Sequence, residues 1–246
     1  GVSLYSYSGE FEITKNLEDC FKDMPDMGAH GLEILANTHI PTYPHLSESW
    51  LQRWRALLDQ YEIIPVEYGH WIDSRLYSHR TLSVAESVAS LKRDIKIAAD
   101  LGFTIMRTKL GVVDDINTPI PEWQDIIEAT LDYAQEHQMR LCPEIHLPTA
   151  LNSPIVADYV EFIEKKRTKH FGLNIDFGIF QNKFESDFRL PGMPADGGPC
   201  SRPEELKAFL PYTYCCHAKF NHMNDAFEEE TIPYQEILAV LIKAQW

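Results

Sequence analysis

The sequence predicts an α/β protein, a (β/α)8 TIM barrel, and three observations carry that prediction. Short strand-like runs alternate with longer amphipathic stretches from the first residue to the last. No linker or change of composition divides the 246 residues, a length that one such barrel commonly fills. No Gly-x-Gly-x-x-Gly follows any of the strand-like runs, which speaks against a dinucleotide-binding open sheet.

The elements follow in order. Residues 2–7 read as a strand, 17–27 as a helix and 31–36 as a strand. The stretch 47–61 sets Trp50, Leu51, Trp54, Leu57, Leu58 and Tyr61 at i, i+3, i+4 spacing, so it is helical and its tryptophans are core residues. A strand over 63–68 precedes a helix over 83–101, where Val84, Val88, Leu91, Ile95, Ala98 and Ala99 share one stripe and Gly102 marks the stop. The strand 103–108 is followed by a helix over 121–138 that begins on a proline. Strand 139–146, helix 153–166 and strand 171–176 come next. Residues 177–201 are a long irregular segment rich in Gly and Pro, and such segments are more often functional than idle. A short helix over 203–209, a strand over 212–219 and a helix over 232–244 complete seven βα units. An eighth strand is absent, which would leave the seventh an open edge. The expectation is one domain over 1–246, incomplete at its C-terminus, with the native protein continuing past Trp246.

Bulk properties exclude several classes. No apolar run approaches the roughly 20 residues of a membrane span, and 37 acidic against 22 basic residues give a charge of −15, which repels nucleic acid. Cys20, Cys142, Cys200, Cys215 and Cys216 form an odd set without a CxxC motif, and no signal segment opens the chain, so a cytoplasmic protein is expected. Cys215 and Cys216 read as packing residues. The run Glu228-Glu229-Glu230 reads as acids favouring the macrodipole of the helix that follows.

The chemistry concentrates at strand ends. In Cys142-Pro143-Glu144-Ile145-His146-Leu147-Pro148, Glu144 and His146 project from one face by the i, i+2 rule. Gly172-Leu173-Asn174-Ile175-Asp176 stops on a carboxylate, and Tyr214-Cys215-Cys216-His217-Ala218-Lys219 sets an imidazole and an ammonium side by side. Glu144, Asp176 and His217 thus form a ligand set of two hard oxygens and one imidazole. That set suits an octahedral divalent ion, Mn²⁺ first, with Mg²⁺ or Co²⁺ as alternatives. His146 is the candidate general base, since an imidazole accepts protons near neutral pH; the competing role is to orient Glu144. Arg107, Lys109 and Lys219 are cations that either hold a substrate oxygen or neutralise Glu144 and Asp176. Glu33, His39, Tyr68 and His70 lie at or after the second and third strands, where substrate hydroxyls would be met.

Glu, Asp and His on the fifth, sixth and seventh strands of a barrel resemble the xylose isomerase-like sugar isomerases and epimerases, in which a Glu on the eighth strand completes the site. That fourth ligand has no match here. Gly1-Val2-Ser3-Leu4-Tyr5-Ser6-Tyr7, Leu17-Glu18-Asp19-Cys20, Gly31-Leu32-Glu33-Ile34-Leu35 and the Cys142 to His146 strand resemble more closely the large, catalytic α subunit of bacterial C-glycoside deglycosylases. The resemblance implies a hetero-oligomer with a small β-rich subunit and a glycoside substrate. It also implies metal ligation by Glu144, Asp176 and His217, with His146 as base, in a metal-dependent lyase acting on 3-keto-C-glycosides of flavonoids. A sugar isomerase or ketose 3-epimerase uses the same first step, and a non-catalytic sugar-binding barrel is the reading from another class.

Overall fold

Alternation along the strands decides which side chains enter the barrel. The structure, a computed structural model, describes residues 1–72, 80–110, 118–182, 193–194 and 199–246. The strands are β1 (Val2–Ser3), β2 (Gly31–Leu35), β3 (Ile64–Ile72), β4 (Ile105–Leu110), β5 (Arg140–Cys142), β6 (Glu144–Ile145), β7 (Leu173–Asp176) and β8 (Thr213–His217). All pair in parallel, in the order β1-β2-β3-β4-β5 and β6-β7-β8. The two runs are one sheet in effect, because Gly172 N donates to Leu141 O at 2.9 Å and Asn174 N to Pro143 O at 3.0 Å. Among the described residues β1 and β8 are each paired on one side.

Helices α1 (Leu17–Asp26), α2 (Ala36–His39), α3 (Glu48–Tyr61), α4 (Val84–Asp100), α5 (Trp123–Glu128), α6 (Leu131–Glu136), α7 (Pro154–Lys166), α8 (Leu206–Phe209) and α9 (Tyr234–Ala244) fill the intervals. Capping boxes at Asn16/Asp19 and Ser83/Glu86 start α1 and α4. Gly102, at φ +91°, takes the left-handed turn that ends α4. In α3, Trp54 packs against Phe21 and Phe103, and Trp123 packs against Tyr159, Phe162 and Phe171, as core residues do. No described helix is long and apolar enough to cross a membrane.

Several boundaries differ from expectation, three of them for a local reason. The first strand ends at Ser3, whose hydroxyl accepts from Tyr5 N and starts a 3-10 turn over Leu4–Tyr7. The helix expected over 121–138 is split into α5 and α6, since the Thr130 hydroxyl bonds back to the carbonyls of Ile126 and Ile127. The fifth barrel strand is broken into β5 and β6 at Pro143, which has no N–H to give a neighbour. The third strand runs four residues past Tyr68, to Ile72. Much of the irregular segment expected over 177–201 lies outside the described residues; its first residues form a 3-10 turn, Phe177–Phe180.

Outside the sheet, a buried anion ties α4 to β3. Asp94 is fully buried and accepts from Tyr43 Oη, from Tyr68 Oη at 2.6 Å and from Arg93. Burial would raise its pKa, yet His70, Tyr68 and Arg93 outweigh that and hold it near 2 instead of 3.8. A depressed carboxyl stabilises the fold above its unfolded pKa, and the contribution is lost as pH falls through the folded value. Roughly 2 kcal/mol of stability should therefore disappear between about pH 4 and pH 2. Asp94→Ala should cost about 1–3 kcal/mol at neutral pH, because the buried Tyr68 hydroxyl loses its acceptor while Arg93, 43% exposed, can turn to water. Urea melts of both proteins across that pH range check both figures; a wild-type stability that stays flat below pH 4 contradicts the assignment.

Candidate active site

The inward face of the barrel carries its charges. Burial alternates along β2 and β4 so that Glu33, Arg107 and Lys109 point inward while Leu32, Ile34, Met106 and Thr108 meet the helices. Register then aligns Glu33 with Glu67, Glu144 with Asn174, and Asp176 with His217. The result is a ring of polar groups across the barrel, built by strands with apolar outer faces.

Glu144, Asp176 and His217 meet: one ligand atom from each lies within 4.8 Å of the others. His217 Nδ1 is 2.7 Å from Glu144 Oε1, and its Nε2 is 2.7 Å from Glu67 Oε2. Burial opposes its charge, but hydrogen bonds to Glu144 and Glu67 win and push its pKa up to about 11. Glu144 is pulled well below the usual carboxylate range: burial works against this, and His217 and Arg107 overcome it. The Arg107 guanidinium donates to Glu144 Oε2 at 2.7 Å and approaches Glu33 Oε1 at 3.6 Å. A side chain at Gly69 would crowd this guanidinium, since a Cβ there would lie 3.1 Å from Arg107 Nη2. Asp176 is fully buried, and burial raises its pKa to about 6. Its Oδ1 accepts from Gly178 N at 2.7 Å, whereas Oδ2 has no well-directed hydrogen bond and meets Lys219 Nζ at 2.8 Å as an ion pair.

These donors fit a hard divalent ion. Two carboxylates and one imidazole converge, and the buried Asp176 Oδ2 has no well-directed hydrogen bond. Glu33, Glu67 and His217 form a second group of close ligand atoms that shares the same imidazole.

His146 follows β6 and borders an open cleft with Arg107, Lys109 and Glu144. Its Nδ1 is 2.7 Å from Leu147 O. A carbonyl only accepts, so Nδ1 carries the proton and the lone pair of the neutral ring sits on Nε2. Burial, opposed by Glu144, lowers its pKa and favours that neutral form.

Of the residues expected on the rim, Tyr68 and His39 lie away from the cleft, and His70 borders it from the outer face of β3. Tyr68 lies on the outer face of β3, one residue out of phase with Glu67, and its hydroxyl is spent on Asp94. His70 shares that face; it borders the cleft, but its Nε2 turns to Asp94 Oδ2 at 3.4 Å. His39 ends the short helix α2, is buried, and accepts from Leu35 N at 2.8 Å, while burial lowers its pKa to about 4. It holds the chain after β2 and does not face the cleft lining.

Two inward residues had no place in the expected site. Glu67 is 1% exposed and reaches His217, and Asn174 donates to Glu67 at 3.0 Å. The signal was present: a lone polar residue between apolar neighbours, in Val66-Glu67-Tyr68 and Leu173-Asn174-Ile175, repeats the pattern of Leu32-Glu33-Ile34.

A family model described as xylose isomerase-like TIM barrel matches residues 21–246. The 3'-dehydrocarminate deglycosidase alpha subunit of a Microbacterium species is 27% identical over 181 residues, 72% of this chain and 49% of that protein. The C-glycoside deglycosidase alpha subunit of Microbacterium trichothecenolyticum is 25% identical over 186 residues, 75% of this chain and 48% of that protein. The chain thus spans about half the length of these curated relatives. Among solved structures, a D-psicose 3-epimerase crystallised with D-fructose superposes with a TM-score of 0.66 at 17% identity, over 95% of this chain and 77% of that one.

Proposed function

The chain belongs to the xylose isomerase-like TIM barrel family, and from that membership we propose that it is the barrel subunit of a metal-dependent lyase that cleaves the C-glycosidic bond of 3-keto-C-glycosides with flavonoid-type aglycones. The observation that carries the reading is the convergence of Glu144, Asp176 and His217 beside the His146 imidazole. The deglycosidase alpha subunits among its relatives support the substrate class and a partner, which we take to be a small β subunit in a hetero-oligomer. Five unpaired cysteines suit a reducing compartment, and we place the protein in the cytoplasm.

A carbon–carbon bond to the sugar offers no leaving oxygen to protonate, so hydrolysis by paired carboxylates does not apply. A ketone at C3 makes the C2 proton acidic. His146 takes that proton on Nε2, and the C–H electron pair moves into an enolate of the sugar. The enolate then collapses, C3=O reforms, a C1–C2 double bond forms, and the aglycone leaves C1 with its electron pair to be protonated on its ring carbon. Glu144, Asp176 and His217 would hold the divalent ion, Mn²⁺ with Mg²⁺ or Co²⁺ as alternatives, which supplies a Lewis acid for charge developing on the C3 oxygen. Arg107 and Lys219 hold Glu144 and Asp176 in place through their ion pairs. Lys109 and Glu33 face the sugar from the β2–β4 side.

The epimerase likeness favours a second reading on the same site, a sugar isomerase or ketose 3-epimerase, in which the proton returns to a sugar carbon. One experiment separates them. The purified protein, with and without a co-expressed partner and with Mn²⁺ or chelator, is incubated with a 3-keto-C-glucoside and with free ketoses. Aglycone release that needs metal and partner is the expected result. Ketose turnover by the lone chain replaces the lyase with the epimerase, and ligand binding that ignores chelator, without either reaction, leaves a sugar-binding barrel.

A further inference from the structure

We propose that Glu67 is a positioning residue for His217, holding the ring so that Nδ1 faces the ligand position it shares with Glu144 and Asp176; this rests on the reading of those three as metal ligands. Glu67 sits within β3, on the far side of the barrel interior from β8, and reaches across it. Its Oε2 lies 2.7 Å from His217 Nε2, and its Oε1 accepts from Asn174 Nδ2 at 3.0 Å. The thiols of Cys142 and Cys215 approach the same two oxygens at 3.8 and 3.6 Å. The carboxylate is 1% exposed, so its grip on the ring is neither diluted by water nor free to swing.

An imidazole has two nitrogens on opposite sides, and a half-turn about the Cβ–Cγ bond exchanges their surroundings. In the observed orientation Nδ1 points at Glu144, 2.7 Å away, and Nε2 at Glu67, 2.7 Å away, with the Asn174 amide also 2.9 Å from Nε2. A carboxylate accepting from Nε2–H selects that orientation and makes Nδ1 the better electron donor, which is how outer carboxylates tune metal-bound histidines. Asn174 plays a supporting part, since it is on β7 two residues before Asp176 and tethers Glu67 from beneath the site.

The test counts unbound Mn²⁺ by its electron paramagnetic resonance signal against metal-stripped wild type, Glu67→Gln and Glu67→Ala, with circular dichroism as a check on folding. Wild type should bind one ion. Glu67→Ala should bind about 10- to 100-fold more weakly, and Glu67→Gln, whose amide oxygen still accepts from Nε2–H, should recover part of the loss. If the alanine variant does not fold, the near-isosteric glutamine variant carries the test alone, with affinity below wild type expected and wild-type affinity overturning the proposal. A folded Glu67→Ala that binds like wild type also overturns it while leaving the three ligands standing. Two ions on wild type and one on Glu67→Ala, at unchanged affinity, would make Glu67 a ligand of a second ion with Glu33 and overturn it too. Wild type that binds no Mn²⁺ removes the metal reading itself, and the positioning role with it.

Discussion

Replacing His146 with alanine should lower turnover of a 3-keto-C-glycoside by about 10²- to 10⁴-fold, the range that a lost general base commands, while Mn²⁺ binding stays close to that of the wild type. The split follows from position. His146 is two residues past Glu144, on the cleft, and its Nδ1 donates to Leu147 O, so the basic lone pair of the neutral ring is on Nε2. It belongs to neither close group of ligand atoms. Solvent exchange of the substrate C2 proton gives an independent readout. In deuterated buffer, wild type should wash deuterium into C2 of unreacted substrate, and His146→Ala should not. Unchanged turnover would remove His146 from the base role. Turnover lost together with metal affinity would assign it to orienting Glu144.

The period-2 rule carried most of the site and failed where its phase was misjudged. Glu144, Asp176 and His217 end three successive barrel strands, and a strand end needs no register to be recognised as one; their inward direction then follows from pairing Glu144 with Asn174 and Asp176 with His217. Strand β3 lacks such an anchor. Ile63, Ile64, Pro65, Val66 and Tyr68 are apolar on both faces, so sequence alone does not say whether Glu67 or Tyr68 looks inward. The choice is made by β2, whose Glu33 aligns with Glu67 across a register shift. Tyr68 and His70 then fall on the helix side, where Asp94 of α4 takes them. Asp94 itself was invisible as a partner because it is 26 residues away in sequence from Tyr68 and 51 from Tyr43. The helix pattern fared well where capping residues reinforced it, as at Asn16 and Ser83, and poorly at Thr130, whose side chain competes for helix carbonyls.

Chelation should abolish turnover and added Mn²⁺ should restore it, and Asp176→Ala should be beyond such rescue at ordinary metal concentrations. Asp176 is the sharper probe of the three proposed ligands. Removing Glu144 strands the buried Arg107 guanidinium, and removing His217 strands Glu67, so either variant confuses metal loss with misfolding. Asp176 has lighter structural duties: one hydrogen bond from Gly178 N and an ion pair with Lys219, whose side chain is 48% exposed and can return to water. Its loss should leave the barrel folded while weakening Mn²⁺ binding by more than the roughly 100-fold that an outer partner costs. Calorimetric titration of Mn²⁺ into the stripped proteins, beside thermal melts, makes the comparison. A folded Asp176→Ala that still binds Mn²⁺ tightly would show that the ion sits elsewhere, with Glu33 and Glu67 as the remaining carboxylates able to share His217. A chelated protein that still releases aglycone would mean that Arg107, Lys109 and Lys219 alone stabilise the enolate, and the ion would lose its place in the reaction.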